Sequence, residues 1–219
     1  MRDAKPTAIH LRDYRPPAYL VTHTELHFEL WEDHALITAR LQLVRSEAVI
    51  ATTPLQLDGA GLELLGLRLD GQELDSERFT VTPERLEIAM VPASFELECR
   101  TRIHPRDNTA LDGLYQSHAM FCTQCEAHGF RKITYYPDRP DVMAVFRVTI
   151  DADKARYPVL LSNGNLAAIE DLPGGRHRAC WEDPFPKPAY LFALVAGDLH
   201  YIEDSFRTCG GRDVCLRIY

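Results

Sequence analysis

The segment of residues 108–141 concentrates the side chains of this chain that could do chemistry. It reads NTALDGLYQSHAMFCTQCEAHGFRKITYYPDRPD and contains a Cys-x-x-Cys pair, a glutamate between polar neighbours, two adjacent tyrosines and aspartates beside prolines. Core helices and strands repeat their apolar residues with a regular period, and this segment has no such period. We therefore interpret it as a binding site rather than as part of the core.

Cys122 and Cys125 are the one pair at metal-ligand spacing among the six cysteines. A structural zinc site needs a second pair of ligands, and the separation of Cys209 from Cys215 fits a zinc ribbon poorly. No helix signal follows Cys125 that would lower the pKa of a thiol and make it reactive. The sequence therefore favours a structural role for Cys122 and Cys125 over zinc binding or redox chemistry.

The charged and aromatic side chains of the segment have simple interpretations when each is taken alone. Glu126 is then an ordinary solvated loop carboxylate, since single glutamates are mostly exposed. An ion pair among Asp138, Arg139 and Asp141 would fix the shape of their proline-containing turn. Residues 135–136 are tyrosines, which we expect to pack and to bond their hydroxyl groups at a domain contact rather than to act as acids.

Composition limits the partners of the chain. It has 219 residues, of which 46% are hydrophobic, and can bury a full core. Its formal net charge of -8 repels phosphate backbones, so nucleic acid is not an expected partner. The N-terminus lacks an apolar stretch of signal-peptide length, and the longest apolar run, at 189–196, is far short of the ~20 residues that span a bilayer. We expect a cytoplasmic protein with reduced thiols and no membrane partner.

Alternation of apolar and polar residues dominates the rest of the chain and predicts an all-β fold of short strands. Residues 26–30 and 35–43 flank a short polar turn and predict one hairpin. Residues 62–69 lead into Asp70-Gly71, a dipeptide that favours a type I′ turn, and the pattern continues through residue 81 as a second hairpin. The apolar run at 189–196 predicts a central strand that is covered on both faces.

Several long motifs resemble those of bacterial zinc aminopeptidases of the aminopeptidase N family, and the resemblance extends over the whole chain. The similar motifs are DYRPP at 13–17, NTALDGLYQS at 108–117, CTQCEA at 122–127, GFR at 129–131, ITYY at 133–136, DRPDV at 138–142, LSNGN at 161–165 and DPFPKP at 183–188. The resemblance implies that residues 1–198 form the family's N-terminal β-domain, a saddle-like layered antiparallel and mixed sheet. Residues 199–219 would then begin a thermolysin-like catalytic domain.

The resemblance also implies roles for two side chains. The Glu of the family's Thr-Gln-Cys-Glu segment helps to hold the free α-ammonium of the peptide, and the Gln lines the S1 pocket for the first side chain. These positions are Glu126 and Gln124 here. Capturing an ammonium with a fixed carboxylate restricts cleavage to the terminal residue of a peptide substrate. His128 departs from the acidic residue that the family has at this position.

The zinc motif of such enzymes is missing from this chain. A zincin requires His-Glu-x-x-His, and none of the nine histidines is followed by Glu. We therefore expect the N-terminal piece of a longer enzyme, with no metal-binding or catalytic residue of its own. Zinc would be bound in the full-length enzyme, whose own catalytic domain would cover the apolar edge at residues 214–219. The fragment alone would be inactive and would expose that edge.

Two other functions remain open from the residues alone. A stand-alone β-sandwich module could recognise peptide or carbohydrate through the same loop. A glycosidase could use Glu126 with Asp138 or Asp141, provided that the carboxyl groups lie ~5–9.5 Å apart.

Overall fold

The computed structural model describes residues 10–219, and their regular structure is dominated by strands, which confirms the all-β prediction. The strands are β1 (Tyr19–Leu30), β2 (Ala35–Arg45), β3 (Leu55–Asp58), β4 (Glu63–Leu69), β5 (Gln72–Glu73), β6 (Phe79–Thr82), β7 (Arg85–Ile88), β8 (Ser94–Ile103), β9 (Gly113–Ser117), β10 (Met120–Gln124), β11 (Met143–Asp153), β12 (Val159–Ser162), β13 (Asn165–Leu172), β14 (Arg176–Pro188), β15 (Leu194–Gly197), β16 (Ile202–Arg207) and β17 (Asp213–Ile218).

The helices of the described residues are short 3-10 turns, at Leu11–Asp13, Ser76–Arg78, Pro105–Asp107, Phe130–Lys132, Pro173–Gly175 and Ala189–Leu191. Among residues 10–219, no helix has the length and apolar character needed to cross a membrane.

Eight strands form the main sheet, in the order β13-β14-β11-β1-β2-β8-β4-β5. The sheet is mixed, because β1 pairs with β11 in parallel and the other neighbours are antiparallel. The alternation in β1 explains its place in the sheet, since Leu26, Phe28 and Leu30 are buried on one face. The residues between them are polar and lie on the opposite face, as expected for a half-buried strand.

Smaller sheets complete the layers, with strand orders β3-β7-β6 and β12-β15-β10-β9. Their buried residues join those of the main sheet in one continuous hydrophobic cluster. Aromatic contacts tie the layers together, since the ring of Phe192 stacks on Phe28 at 5.8 Å between centroids and meets Phe130 edge-on at 5.4 Å. The layered β architecture is therefore as predicted. Strands β16 and β17 form a separate two-stranded sheet.

Both predicted hairpins are present, but the second is shorter than predicted. Strands β1 and β2 pair in register from Leu30 opposite Ala35, which confirms the first. Asp70 and Gly71 take positive φ values of 49° and 78° between β4 and β5, which confirms the second turn. Strand β6 belongs to a different sheet. The chain turns away because Asp75 accepts a hydrogen bond from the Glu77 amide and caps a 3-10 turn.

The prediction for residues 189–196 is right in its second half and wrong in its first. Ala189–Leu191 forms a 3-10 turn, and the strand β15 begins only at Leu194. Phe192 explains the difference, because its ring is inserted among the aromatic rings of the core and holds the chain out of a sheet. Strand β15 does lie inside its sheet, between β12 and β10, with Leu194 and Ala196 buried.

Candidate functional site

Strand β10 carries the chain to the loop that holds both predicted site residues. The strand pairs with β9 on one side and β15 on the other, and Gln124, its last residue, lies opposite Gly113. The loop that follows, residues 124–129, is called the Glu126 loop below. It is closed by a hydrogen bond of 2.8 Å from the Gly129 amide to the Cys125 carbonyl. An interior strand and a closed turn therefore fix both ends of this loop.

The Glu126 loop brings the two predicted side chains together at the surface. Cys125 is buried, whereas Gln124 and Glu126 on either side of it are exposed. The Gln124 amide donates to the Glu126 carbonyl at 3.4 Å, and the peptide bond from Glu126 to Ala127 is cis. Burial of the central thiol thus orients its neighbours outward, towards any ligand above the loop.

Glu126 has no ion-pair partner among residues 10–219. Most other charged groups of the segment do have one, such as Asp112 with Lys132 at 2.9 Å. A carboxylate that is held on a closed loop without its own cation can accept a charge-assisted hydrogen bond from a ligand. The Glu126 carboxylate is therefore free, within the described residues, to accept a hydrogen bond from a cationic group.

Cys122 lies on β10 and is half-buried, whereas Cys125 lies directly after the last residue of β10 and is buried. Burial raises the pKa of the Cys125 thiol far above its ordinary value, with the nearby charges of Asp138 and Asp112 adding to the effect. A thiol in that environment stays protonated and is a poor nucleophile or ligand. No cluster of three or more His, Cys, Asp or Glu side chains within residues 10–219 is arranged to hold a metal ion.

Asp138 and Arg131 form the buried ion pair next to the site. Asp138 is 2% exposed and accepts hydrogen bonds from the Arg131 backbone amide at 3.2 Å and from its Nε at 3.0 Å. Burial raises the pKa of Asp138, and the contacts with Arg131 oppose that rise. Sequence reasoning missed Arg131, although a basic residue in a segment of carboxylates is a signal for such a partner. The pair connects the 3-10 turn that follows the Glu126 loop with the turn at 138–141.

The predicted ion pair within that turn is also present. Arg139 contacts both carboxylate oxygens of Asp141, at 2.8 Å and 2.7 Å, and the Tyr14 hydroxyl donates to the same carboxylate at 3.0 Å. These bonds lower the pKa of Asp141, with Arg139 making the largest contribution. Asp138 and Asp141 are therefore each engaged by an arginine, Arg131 and Arg139 respectively.

The two tyrosines lie deeper than expected. We predicted that they pack with their hydroxyl groups at a domain contact, but both are buried within the core of the described chain. The Tyr136 hydroxyl lies 3.2 Å from Thr24 Oγ1, and its ring meets Phe130 edge-on. Tyr135 fills the space beside Gly59, where a Cβ would collide with its ring. Their role in packing is as predicted, but both side chains are buried within the described residues rather than placed at a domain contact.

A cleft of about 520 Å³ opens on the side of the loop at His128. It is lined by His128, Arg131, Asp138 and a set of proline residues that includes Pro16 and Pro17. His128 is exposed, and its charge would act on the buried carboxylate of Asp138. An imidazole at position 128 therefore gives the cleft a different charge from the acidic residue that the resemblance led us to expect there.

Comparisons of the sequence with a family model and with known proteins both identify the same family. The family model described as the Peptidase M1 N-terminal domain matches residues 35–191. Aminopeptidase N of Caulobacter vibrioides is 48% identical over 219 residues, which are 100% of this chain and 25% of the relative. Aminopeptidase N of Escherichia coli is 47% identical over 218 residues, covering 98% of this chain and 24% of the relative. The chain thus spans about a quarter of the length of these relatives.

Solved structures agree with that match. Aminopeptidase A of Legionella pneumophila, in complex with aspartic acid, superposes with a TM-score of 0.89 at 36% identity, covering 94% of this chain and 24% of its own. The M1 zinc metallopeptidase of Deinococcus radiodurans has a TM-score of 0.76 at 19% identity, covering 92% of this chain and 47% of its own. The second likeness is one of fold alone.

Proposed function

Because this chain belongs to the M1 peptidase family, as its N-terminal domain, we propose that it serves a zinc aminopeptidase that hydrolyses the N-terminal residue of peptides. The chain would contribute substrate recognition, while a later part of the full-length enzyme would contribute the chemistry. The names of the relatives support the activity, and the coverage of a quarter of their length supports the division of labour.

In this proposal, zinc is bound by a later part of the full-length enzyme and not by the residues described here. The residues described here do not fit a zinc ion, since no group of three potential ligands comes together among residues 10–219. Cys125, a member of the one pair at suitable spacing, is buried with a raised pKa. No catalytic step is therefore assigned to this chain.

Glu126 is proposed to anchor the α-ammonium group of the substrate. The observation that carries this role is an exposed carboxylate on a closed loop with no cation of its own among the described residues. A substrate ammonium would supply the missing charge, and hydrogen bonds between charged groups are roughly twice as strong as neutral ones. Gln124, whose neutral amide lies beside it, is proposed to line the pocket for the first side chain.

The proposed domain boundary places residues 1–198 in the β-domain and residues 199–219 at the start of a thermolysin-like catalytic domain. Strand β15 ends at Gly197, and the strands that follow it, β16 and β17, pair with each other and with no other described strand. Apolar side chains of that hairpin are exposed, among them Ile202 and Ile218. A two-stranded sheet is marginally stable alone, so the rest of the catalytic domain is its proposed partner.

The proposal is tested by replacing Glu126 with alanine in the full-length enzyme. Removing one member of a desolvated charged pair costs about 2–5 kcal/mol, so kcat/KM on free-amine peptides should fall between about thirty-fold and several thousand-fold. Zinc content and thermal stability should not change, because Glu126 is neither a ligand nor a core residue. Glu47→Ala is a matched control, since Glu47 is also an exposed turn glutamate. Wild-type kcat/KM in Glu126→Ala, with the same preference for a free over an acetylated amine, would contradict the proposal.

A further inference from the structure

A tight turn lies beneath the Glu126 loop and is closed by one side chain. The turn spans residues 108–114 and is called the Asn108 turn below. The half-buried amide of Asn108 donates from Nδ2 to the Asp112 carbonyl at 2.8 Å and to the Leu114 carbonyl at 3.0 Å. The backbone between these bonds takes positive φ at Leu111 (55°) and Gly113 (79°). A left-handed conformation at a leucine is unfavourable unless its surroundings hold it, and Asn108 supplies the bonds that do so.

The Asn108 turn touches both ends of the Glu126 loop. At one end, Gly113 lies opposite Gln124 in the register of β9 and β10. At the other end, a Cβ on Gly129 would collide with Asp112 Oδ1 and with the Gln124 carbonyl, and it would lie 2.9 Å from the Gly113 amide nitrogen. There is no free space between turn and loop. A displacement of the turn must therefore displace the loop.

Lys132 contacts both the Asn108 turn and the Glu126 loop. Its ammonium lies 2.9 Å from the Asp112 carboxylate, and its backbone amide donates to the Gly129 carbonyl at 3.0 Å. Asp112 is thus already neutralised by a cation, in contrast to Glu126. The lysine links the charge of the turn to the end of the loop.

We propose that Asn108 is a positioning residue for recognition of the substrate ammonium. Its two hydrogen bonds hold the Asn108 turn, the turn supports the Glu126 loop, and the loop sets the place of the Glu126 carboxylate. Asn108 itself touches no substrate. The inference rests on the proposed function of Glu126 and assigns to Asn108 and Lys132 a part in the specificity of the same site. Small displacements of a binding group have large kinetic effects, because charge-assisted hydrogen bonds need both distance and alignment.

The test is a double-mutant cycle between Asn108→Ala and Glu126→Ala in the full-length enzyme. Alone, Asn108→Ala should lower kcat/KM on free-amine peptides about tenfold, mainly through KM. In the Glu126→Ala background it should lower kcat/KM by less than about twofold, because the carboxylate that it positions is gone. Asn163→Ala is the matched control, since Asn163 also makes two side-chain hydrogen bonds, to Leu191 and Ala193 rather than within the Asn108 turn. Its effect should be the same in both backgrounds.

A second pair of variants covers the case in which Asn108→Ala does not fold. Lys132→Gln removes only the ion pair to Asp112 and should raise KM about threefold, whereas Lys132→Arg keeps the charge and should restore the wild-type value. An Asn108→Ala loss of equal size in both backgrounds would overturn the positioning role and leave the role of Glu126 intact. If Asn108→Ala does not fold, an unchanged KM in Lys132→Gln would overturn it in the same way. An unchanged Glu126→Ala enzyme would refute the ammonium site itself and the positioning proposal with it.

Discussion

Asp151→Asn should lower the stability of the chain in a pH-dependent way. Asp151 lies on β11, with a side chain that is 8% exposed, and it accepts two hydrogen bonds from Arg178, at 2.6 Å and 2.7 Å. His27 Nε2 lies 2.8 Å from the same carboxylate. Burial raises the pKa of Asp151 and is the largest single influence, but the bonds and charges of Arg178 and His27 outweigh it and lower the pKa from 3.8 to about 2.

The size of the stability loss follows from the difference between the pKa of Asp151 in the folded chain and its ordinary value. A carboxyl group whose pKa is lower in the folded than in the unfolded chain stabilises the fold, here by ~2 kcal/mol at neutral pH. The substitution also leaves Arg178 without its partner, so we expect a total loss of about 2–3 kcal/mol and a fall in Tm of about 5–10 °C. The contribution is complete above the unfolded pKa and disappears as the pH falls through the folded pKa.

The assay is urea denaturation of wild-type and Asp151→Asn chains between pH 7 and pH ~2.5. The stability difference should be constant from pH 7 to pH ~5 and should shrink by more than half by pH ~2.5. Asp171→Asn is the control, because Asp171 pairs with Lys154 at 2.6 Å but is exposed, so its loss should change the stability much less than the loss of Asp151. A difference between wild type and Asp151→Asn that stays constant down to pH ~2.5 would refute the reasoning.

Three further predictions concern function and assembly. Gln124→Ala in the full-length enzyme should change which first side chain is preferred, with a smaller loss of kcat/KM than Glu126→Ala, because a neutral pocket residue shapes binding without holding a charge; kinetics on a series of aminoacyl anilides checks this. The isolated 219-residue chain should show no aminopeptidase activity and bind no stoichiometric zinc; metal analysis and the anilide assay check this, and turnover that survives removal of host contaminants would contradict it. The same chain should bind a hydrophobic dye and self-associate through the β16–β17 hairpin; a strictly monomeric, dye-negative chain in sedimentation would count against this.

Most of the fold could be predicted because strand formation depends on local alternation. The turn at Asp70-Gly71 and the register of the first hairpin are both encoded within a few residues. The error at residues 189–192 has a different cause. Phe192 enters the aromatic core through contacts with rings from distant parts of the chain, and an apolar run does not show whether it will form a strand or fill a core.

The family motif predicts a candidate site at Glu126, which stays a prediction, but it does not predict the contacts that support the loop. The family motif singles out Gln124 and Glu126, and the structure exposes both side chains on either side of the buried Cys125. The partners Arg131 and Asp138, and the bonds of Asn108, depend on how turns pack against each other. Such contacts have no periodic signal, so only the structure reveals them.

The most direct test of the account is a crystal structure of the full-length enzyme with a substrate-like amine bound. The account predicts an ammonium nitrogen within ~2.7–2.9 Å of the Glu126 carboxylate, with Gln124 beside the first side chain and the metal held entirely by residues beyond position 219. An ammonium held by other groups, with Glu126 facing solvent, would contradict the central claim that this domain recognises the free amino terminus.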